Sequence, residues 1–153
     1  MDKAQLQSME TYLHEHIPIT AHFGIKMTAF EQGTIRLRAP LAANINHRDT
    51  AFGGSLSSIG ILAGWSIIHF TLTGMGLPSR IVIQNSSTSF TDPGDADFDA
   101  IASLPDEIAW MRFCNMLKRK GRARITLPSK IIIGDKCIAE HEGVFVAILN
   151  ERL

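Results

Sequence analysis

The chain has 153 residues, of which 45% are apolar and 20% charged, and its formal net charge is zero. That length suits one domain able to bury roughly 70% of its unfolded surface, and the balance excludes a disordered chain. Zero net charge removes any global pull towards nucleic acid or an anionic membrane. The two cysteines, Cys114 and Cys137, are too few for a disulfide framework, and no Cys/His spacing resembles a zinc site.

A reducing, cytoplasmic setting is therefore expected, with no metal and no cofactor. The start, Met1-Asp2-Lys3-Ala4-Gln5-Leu6, lacks the apolar segment of a signal peptide. Leu6, Met9, Leu13 and Ile17 recur at helical steps, which predicts an amphipathic helix over about sixteen residues, ended by Pro18. Ile25–Glu31 and Thr34–Ala39 flank Gln32-Gly33 and read as a hairpin with one wet face, because Ile35, Leu37 and Ala39 alternate with Arg36 and Arg38. The Asn-rich stretch 40–50 is irregular.

Phe52 to about Thr73 is the longest predicted helix, apolar around most of its circumference and so buried on several sides. Its most apolar run, Ile59–Phe70, is too short to span a bilayer. Gly60 and Gly64 match a membrane helix-pairing spacing, but the better reading is that two glycines on one face let a sheet approach a helix closely. Arg80–Thr91 reads as a central strand with an unusual polar run, Gln84-Asn85-Ser86-Ser87. Asp92-Pro93-Gly94-Asp95 then turns the chain into Ala96–Ser103.

Asp106 is a cap for a short helix to about Lys118, with Ile108, Met111 and Leu117 or Cys114 facing inwards. Arg122–Ile133 and Lys136–Leu149 pair across the two-residue turn Gly134-Asp135. Val144–Leu149 is apolar on both faces, so it is either covered on both sides or close to a subunit contact. Antiparallel strands around one long helix define an α+β fold, here a single domain over 1–153.

The chemistry concentrates in Asn44-Ile45-Asn46-His47-Arg48-Asp49-Thr50-Ala51-Phe52-Gly53-Gly54. Amide, imidazole and carboxylate side chains directly precede a glycine-rich helix start. The first turn of a helix leaves N–H groups unpaired and partly positive, and glycine lets a substrate approach that backbone closely. This suits a thioester oxygen becoming an enolate or a tetrahedral anion. The bland alternative is a cap at Thr50 with the asparagines completing a turn.

The segments Ala39–His47, Thr50-Ala51-Phe52-Gly53-Gly54-Ser55 and Ala63-Gly64-Trp65 resemble a hotdog family commonly described as thioesterases. Thr91–Asp95 and Lys120–Arg124 extend the likeness over nearly the whole chain. The family includes the C-terminal domain of a two-domain bacterial protein with an acetyltransferase-like half, and stand-alone members that look like malonyl-acyl-carrier-protein decarboxylases. The resemblance implies a hotdog homodimer with its active site at the subunit boundary and a catalytic asparagine at Asn46. It puts the amides of Gly53 and Gly54 where the thioester oxygen is held, with Phe52 and Ser55 as substrate contacts beside them.

The sequence also departs from the wider hotdog thioesterases, many of which carry His-Gly-Gly and an acid two turns on. Here the triplet is Phe52-Gly53-Gly54, and Ser55–Trp65 contains no acid. Hydrolysis needs a group to activate water, and within this segment only His47 and Asp49 qualify. Decarboxylation needs an oriented carboxylate and donors that favour the enolate over the ground-state carbonyl, which tilts the expectation towards a malonyl-thioester decarboxylase. An acyl-thioester hydrolase and a non-catalytic acyl-carrier-binding module are the rival readings.

Among the remaining candidates, His47 is either a proton donor to the carbanion or a solvent-facing turn residue. Ser55, Ser57 and Ser58 lack a nucleophile-elbow setting. His14, His16, His22, His69 and His141 share no metal-ligand spacing and read as structural or exposed. Asn85 and its polar neighbours either line a pocket or face water. Lys118, Arg119, Lys120, Arg122 and Arg124 are either a solvated helix end or a landing patch for acidic acyl carrier protein or coenzyme A phosphates.

Overall fold

Helix α1 (Lys3–His16) opens with a capping box in which Asp2 accepts from the Gln5 amide at 2.8 Å and the Gln5 side chain accepts from the Asp2 amide at 3.1 Å. It ends before Pro18, as expected, and one further turn, α2 (Ile19–His22), follows. Four residues carry too little periodicity to be read in advance. The computed structural model describes residues 1–150, so residues 151–153 of the expected domain lie outside the described residues.

The predicted hairpin is β1 (Lys26–Glu31) with β2 (Thr34–Ala39). Gln32 and Gly33 both take positive φ, 49° and 70°, as a tight two-residue hairpin turn requires. Four more strands follow: β3 (Ser79–Phe90), β4 (Phe98–Ser103), β5 (Arg122–Ile133) and β6 (Lys136–Leu149). All six form one antiparallel sheet in the order β1-β2-β4-β5-β6-β3. The strand read as central is thus an edge strand within the single chain. Its polar run, Gln84–Ser87, is exposed because only β6 borders it. β6 lies between β5 and β3, which explains why Val144–Leu149 is apolar on both faces.

Helix α3 (Gly53–Gly74) packs chiefly against β2, β3, β4, β5 and β6. Ile59, Ala63, Ile67, Ile68 and Leu72 are fully buried along it. A Cβ on Gly60 would lie 2.7 Å from the His141 Cβ, and one on Gly64 would lie 2.7 Å from the Phe145 ring. Both glycines therefore serve close helix–sheet approach. Among the described residues α3 is the one helix long and apolar enough to cross a membrane, and it is the core helix of the sheet. One long helix wrapped by an antiparallel sheet is the hotdog arrangement.

Helix α4 (Glu107–Lys120) is capped by Asp106, whose side chain accepts from the Ala109 amide at 2.9 Å. Its inward face differs from the expectation. Ile108 is 66% and Met111 55% exposed, while Trp110, Phe113, Cys114 and Leu117 are buried. Those four residues fall at i, i+3, i+4 and i+7, one continuous stripe with larger side chains, and that stripe sets the rotation of the helix.

Candidate active site

The loop before α3 folds back on itself. Asn46 N–H donates to the Thr50 carbonyl at 2.8 Å, and Ile45 bridges Ala51. Two further bonds dock this small hairpin: Phe52 N–H to the Asn44 carbonyl and Ala51 N–H to the Gly94 carbonyl, both 2.7 Å. Asp49, at φ 60°, turns the tip. His47, Arg48 and Asp49 are exposed there, with Arg48 Nε donating to His47 Nε2 at 3.3 Å.

The Asn46 side chain organises this hairpin. Its Oδ1 accepts from the amides of Arg48 at 2.8 Å and Thr50 at 3.3 Å, while its Nδ2 donates to Thr50 Oγ1 at 3.0 Å. The second Nδ2 hydrogen has only a long 3.4 Å contact to the Ala51 carbonyl, so it is the donor most easily turned to a ligand. Thr50 bonds to Asn46 rather than capping the helix. The helix start has Phe52 in the cap position and no side-chain cap. The first helical bond is Leu56 N–H to the Phe52 carbonyl at 3.1 Å, which leaves the amides of Gly53, Gly54 and Ser55 without a protein acceptor among the described residues.

At its Gly53 end this helix start borders a recess of about 360 Å³ whose lining includes Asn46, Thr50, Gly53, Leu56, Phe90 and Asp92. The Phe90 ring lies 3.4 Å from where a Gly53 Cβ would be, and the Phe52 ring occupies the place of a Gly54 Cβ. Each phenylalanine is 55% exposed, so two aromatic rings flank an uncapped helix start. A Cβ at Gly54 would displace the Phe52 ring, whereas one at Gly53 would only touch the Phe90 ring.

Of the expected site, Asn46 and Gly53 line the recess, Phe52 and Gly54 flank Gly53 at the helix start without lining it, and the rest lies elsewhere. His47 and Asp49 are on the exposed loop tip and do not line the recess, because the chain turns away from it directly after Asn46. Ser55 has a buried side chain, so it can offer only its amide. Phe90, Asp92, Thr50 and Leu56 were not anticipated as recess residues. Asp92 pairs with Lys136 at 3.1 Å, and its only sequence signal was a turn motif.

Asn85 is exposed on the edge strand. Arg122 aligns through Ile148 with Arg80, whereas Phe90 aligns with Ala139. From Arg80 to Phe90 is ten steps along β3, about 30 Å. Within one chain, then, Arg119, Lys120 and Arg122 stand at the far end of the sheet from the recess. Among the described residues no three His, Cys, Asp or Glu side chains converge on a metal position.

The family described as "Putative thioesterase (yiiD_Cterm)" matches residues 6–149. The chain belongs to this family. A Chlorobaculum tepidum protein of unknown function is 27% identical, with 94% of each chain covered and a TM-score of 0.88. A "putative thioesterase" from Shewanella oneidensis shares 23% identity over 96% of this chain and 99% of its own, at TM-score 0.85. A Pseudomonas aeruginosa protein is 19% identical over 94% and 95%, at TM-score 0.81. Membership of this thioesterase-type family marks the chain as a fold of a kind that acts on acyl thioesters.

Proposed function

We propose that the chain decarboxylates a malonyl thioester, carried on acyl carrier protein or coenzyme A, to an acetyl thioester that starts fatty-acid synthesis. The observation that carries this reading is the uncapped α3 start, where Gly53, Gly54 and Ser55 offer unpaired amides beside Asn46. Loss of carbon dioxide leaves an enolate, and preorganised N–H donors stabilise that charge more than the starting carbonyl. Asn46 holds the loop and supplies one loosely held donor. Phe52 and Phe90 screen the glycine amides from bulk water, which strengthens those interactions.

The working unit is a homodimer paired through β3, in the cytoplasm. Antiparallel pairing of two β3 edges about Asn85 sets the Arg80 end of one copy beside the Phe90 end of the other. That supports a site completed across the two-fold axis, with the Arg119, Lys120 and Arg122 cluster of one chain serving the recess of the other. The cluster then receives the acidic carrier or the coenzyme A phosphates.

Hydrolysis is the second reading, favoured by the Asp92 carboxylate at the recess, which could activate water there. Incubation with malonyl and acetyl thioesters separates the readings. Carbon dioxide with an intact thioester supports decarboxylation, free thiol indicates a hydrolase, and neither product indicates a non-catalytic carrier-binding module.

A further inference from the structure

The outer side of α4 is not finished as a plain solvent face. Trp110, Phe113, Cys114 and Leu117 turn inwards. The opposite side therefore presents Ile108, Arg112, Asn115 and Arg119 at i, i+4, i+7 and i+11, with Met111 on one flank and Met116 on the other. Ile108, Met111 and Met116 are all exposed. A single apolar side chain on a surface is ordinary. Three on one 14-residue helix, with cations between them, form a patch of the kind that binds another protein. Methionine suits such a surface, because its unbranched, polarisable side chain adapts to what it meets.

Charge narrows the choice of partner. Arg112, Lys118, Arg119, Lys120, Arg122 and Arg124 follow one another along the chain with no acid between them, and each is exposed. Arg80 joins them, aligned with Arg122 through Ile148. The one acid on α4 is Glu107, in its first turn. At the C-terminal end of the helix, Met116, Arg122, Arg124, Val146 and Gln84 line a recess of about 400 Å³. Arg124 Nη1 donates to Gln84 Oε1 there at 3.2 Å. The chain is neutral overall, and Asp92, Asp95, Asp97 and Asp135 stand in the loops at the other end of the sheet. An acidic partner is thus drawn to the α4 end and repelled from the other.

We infer that the outer face of α4, continued by Arg122 and Arg124, docks an acidic, helical carrier protein that delivers the acyl thioester on a flexible arm. Carboxylates of the carrier meet Arg112, Arg119, Arg122 and Arg124, and its apolar side chains lie against Ile108, Met111 and Met116. From Ile108 to Met116 is eight steps, about 12 Å of helix. One adenine ring of coenzyme A is too short for that stripe, whereas two turns of a partner helix match it. The face stays open in the proposed dimer, since α4 packs chiefly on β5 and β6 and the pairing edge is β3. Gln84, beside the pairing point Asn85, belongs to that subunit contact, and docking does not depend on it. The inference rests on the reading above for the dimer and the substrate, but docking itself needs neither turnover nor a malonyl group.

The test is titration of the full chain with a bacterial acyl carrier protein in its holo form, free of any acyl group, read by the fluorescence anisotropy of a label on the carrier. Saturable binding that weakens as salt rises is expected. Ile108→Ser combined with Met111→Ser should raise Kd about tenfold, and so should Arg112→Glu alone. Lys3→Glu, on the exposed side of α1, should leave Kd unchanged. Because the substituted side chains are exposed, Tm and sedimentation coefficient should stay those of the native chain. No binding by the native chain, native affinity in both α4 variants, a matching loss of affinity for free coenzyme A, or a changed sedimentation coefficient would overturn the inference. Intact docking without release of carbon dioxide from the malonyl-loaded carrier would instead strike the decarboxylation reading and leave this surface standing.

Discussion

The two edges of the sheet are finished in opposite ways. β1 is short, carries a bulge between Met27 and Ala29, and lies against α1. There the buried Glu10 carboxylate accepts from the Met27 amide and the Lys26 ammonium, both at 3.0 Å. On the same flank the buried Asp99 takes two bonds from Arg38, at 2.8 and 2.9 Å, and one from Arg36 at 3.2 Å, tying β2 to β4. β3 is twice as long, and only Ser79 and Ile81 are buried along it. Val82, Ile83 and Phe90 are exposed on it. Unpaired strand edges invite a partner unless something blunts them. The closed flank is blunted within the chain, and the recess opens on the flank that is not.

The largest expected effect contrasts two asparagines on these flanks. Asn44 is buried, with Nδ2 donating to the carbonyls of Phe23 at 2.9 Å and Pro40 at 2.8 Å. Its role is to anchor the loop to the closed side. Asn46→Ala should lower decarboxylase kcat by roughly 10²–10³ with a smaller change in KM. It should also cost about 1 kcal/mol of stability through the lost loop bonds. Asn44→Ala should reverse this pattern, lowering Tm more and kcat much less. Asn46→Asp separates the two roles, since its carboxylate keeps both acceptor bonds to the loop but removes the donor. It should be at least as damaging to turnover as the alanine. Near-native kcat in Asn46→Ala would sink the proposed mechanism.

Next comes assembly. Asn85→Glu on the open edge should turn a micromolar dimer into a monomer by sedimentation and lower activity with it, because like charges would meet across the two-fold axis. The matching change on the closed edge, Thr28→Glu, should leave the sedimentation coefficient alone. A native chain that sediments as a monomer would remove both the dimer and the shared site.

A smaller effect, about tenfold, is expected from reversing Arg119 and Lys120 to Glu. KM for carrier-linked substrate should rise and become more sensitive to salt, while a short uncharged thioester mimic reacts as before. Equal loss on both substrates would indicate a damaged fold instead.

The smallest effect is on stability against pH. Burial lowers the pKa of His69, stacked between Tyr12 and Trp65, and that of His141. Below about pH 6.5 the unfolded chain binds protons at these positions that the folded chain resists, so stability is complete above that pH and declines as pH falls. Thermal melts of His141→Gln should show a shallower decline. An unchanged slope would mean that His141 charges freely in the fold.

Much of the architecture was legible because it rests on periodicity. The β1–β2 hairpin, the α3 core helix, the Asp106 cap and the β5–β6 hairpin follow from alternation, helical steps and turn residues. The position of β3 was not legible, since strand order depends on long-range pairing and a polar run reads alike in a wet pocket and on an exposed edge. The phase of α4 was misread because Ile108 and Met111 are as apolar as their buried neighbours. Around the recess, Asn46 and the glycine pair could be read from the loop itself. Phe90 and Asp92 could not, because they arrive from a different strand end.

The irregularity in β3 between Ile83 and Asn85 has its own consequence. Strand faces alternate strictly, so one surplus residue would ordinarily transpose everything beyond it. Here Gln84 is absorbed, and Ser86, Thr88 and Phe90 keep the parity set by Ile81 and Ile83. Loss of Gln84 from a related chain would be nearly silent, straightening the strand without changing which side chains face the helix. Loss of any single residue between Ser86 and Phe90 would instead turn the Phe90 ring away from Gly53. The length of this strand is thus fixed to the residue on one side of the bulge and free on the other.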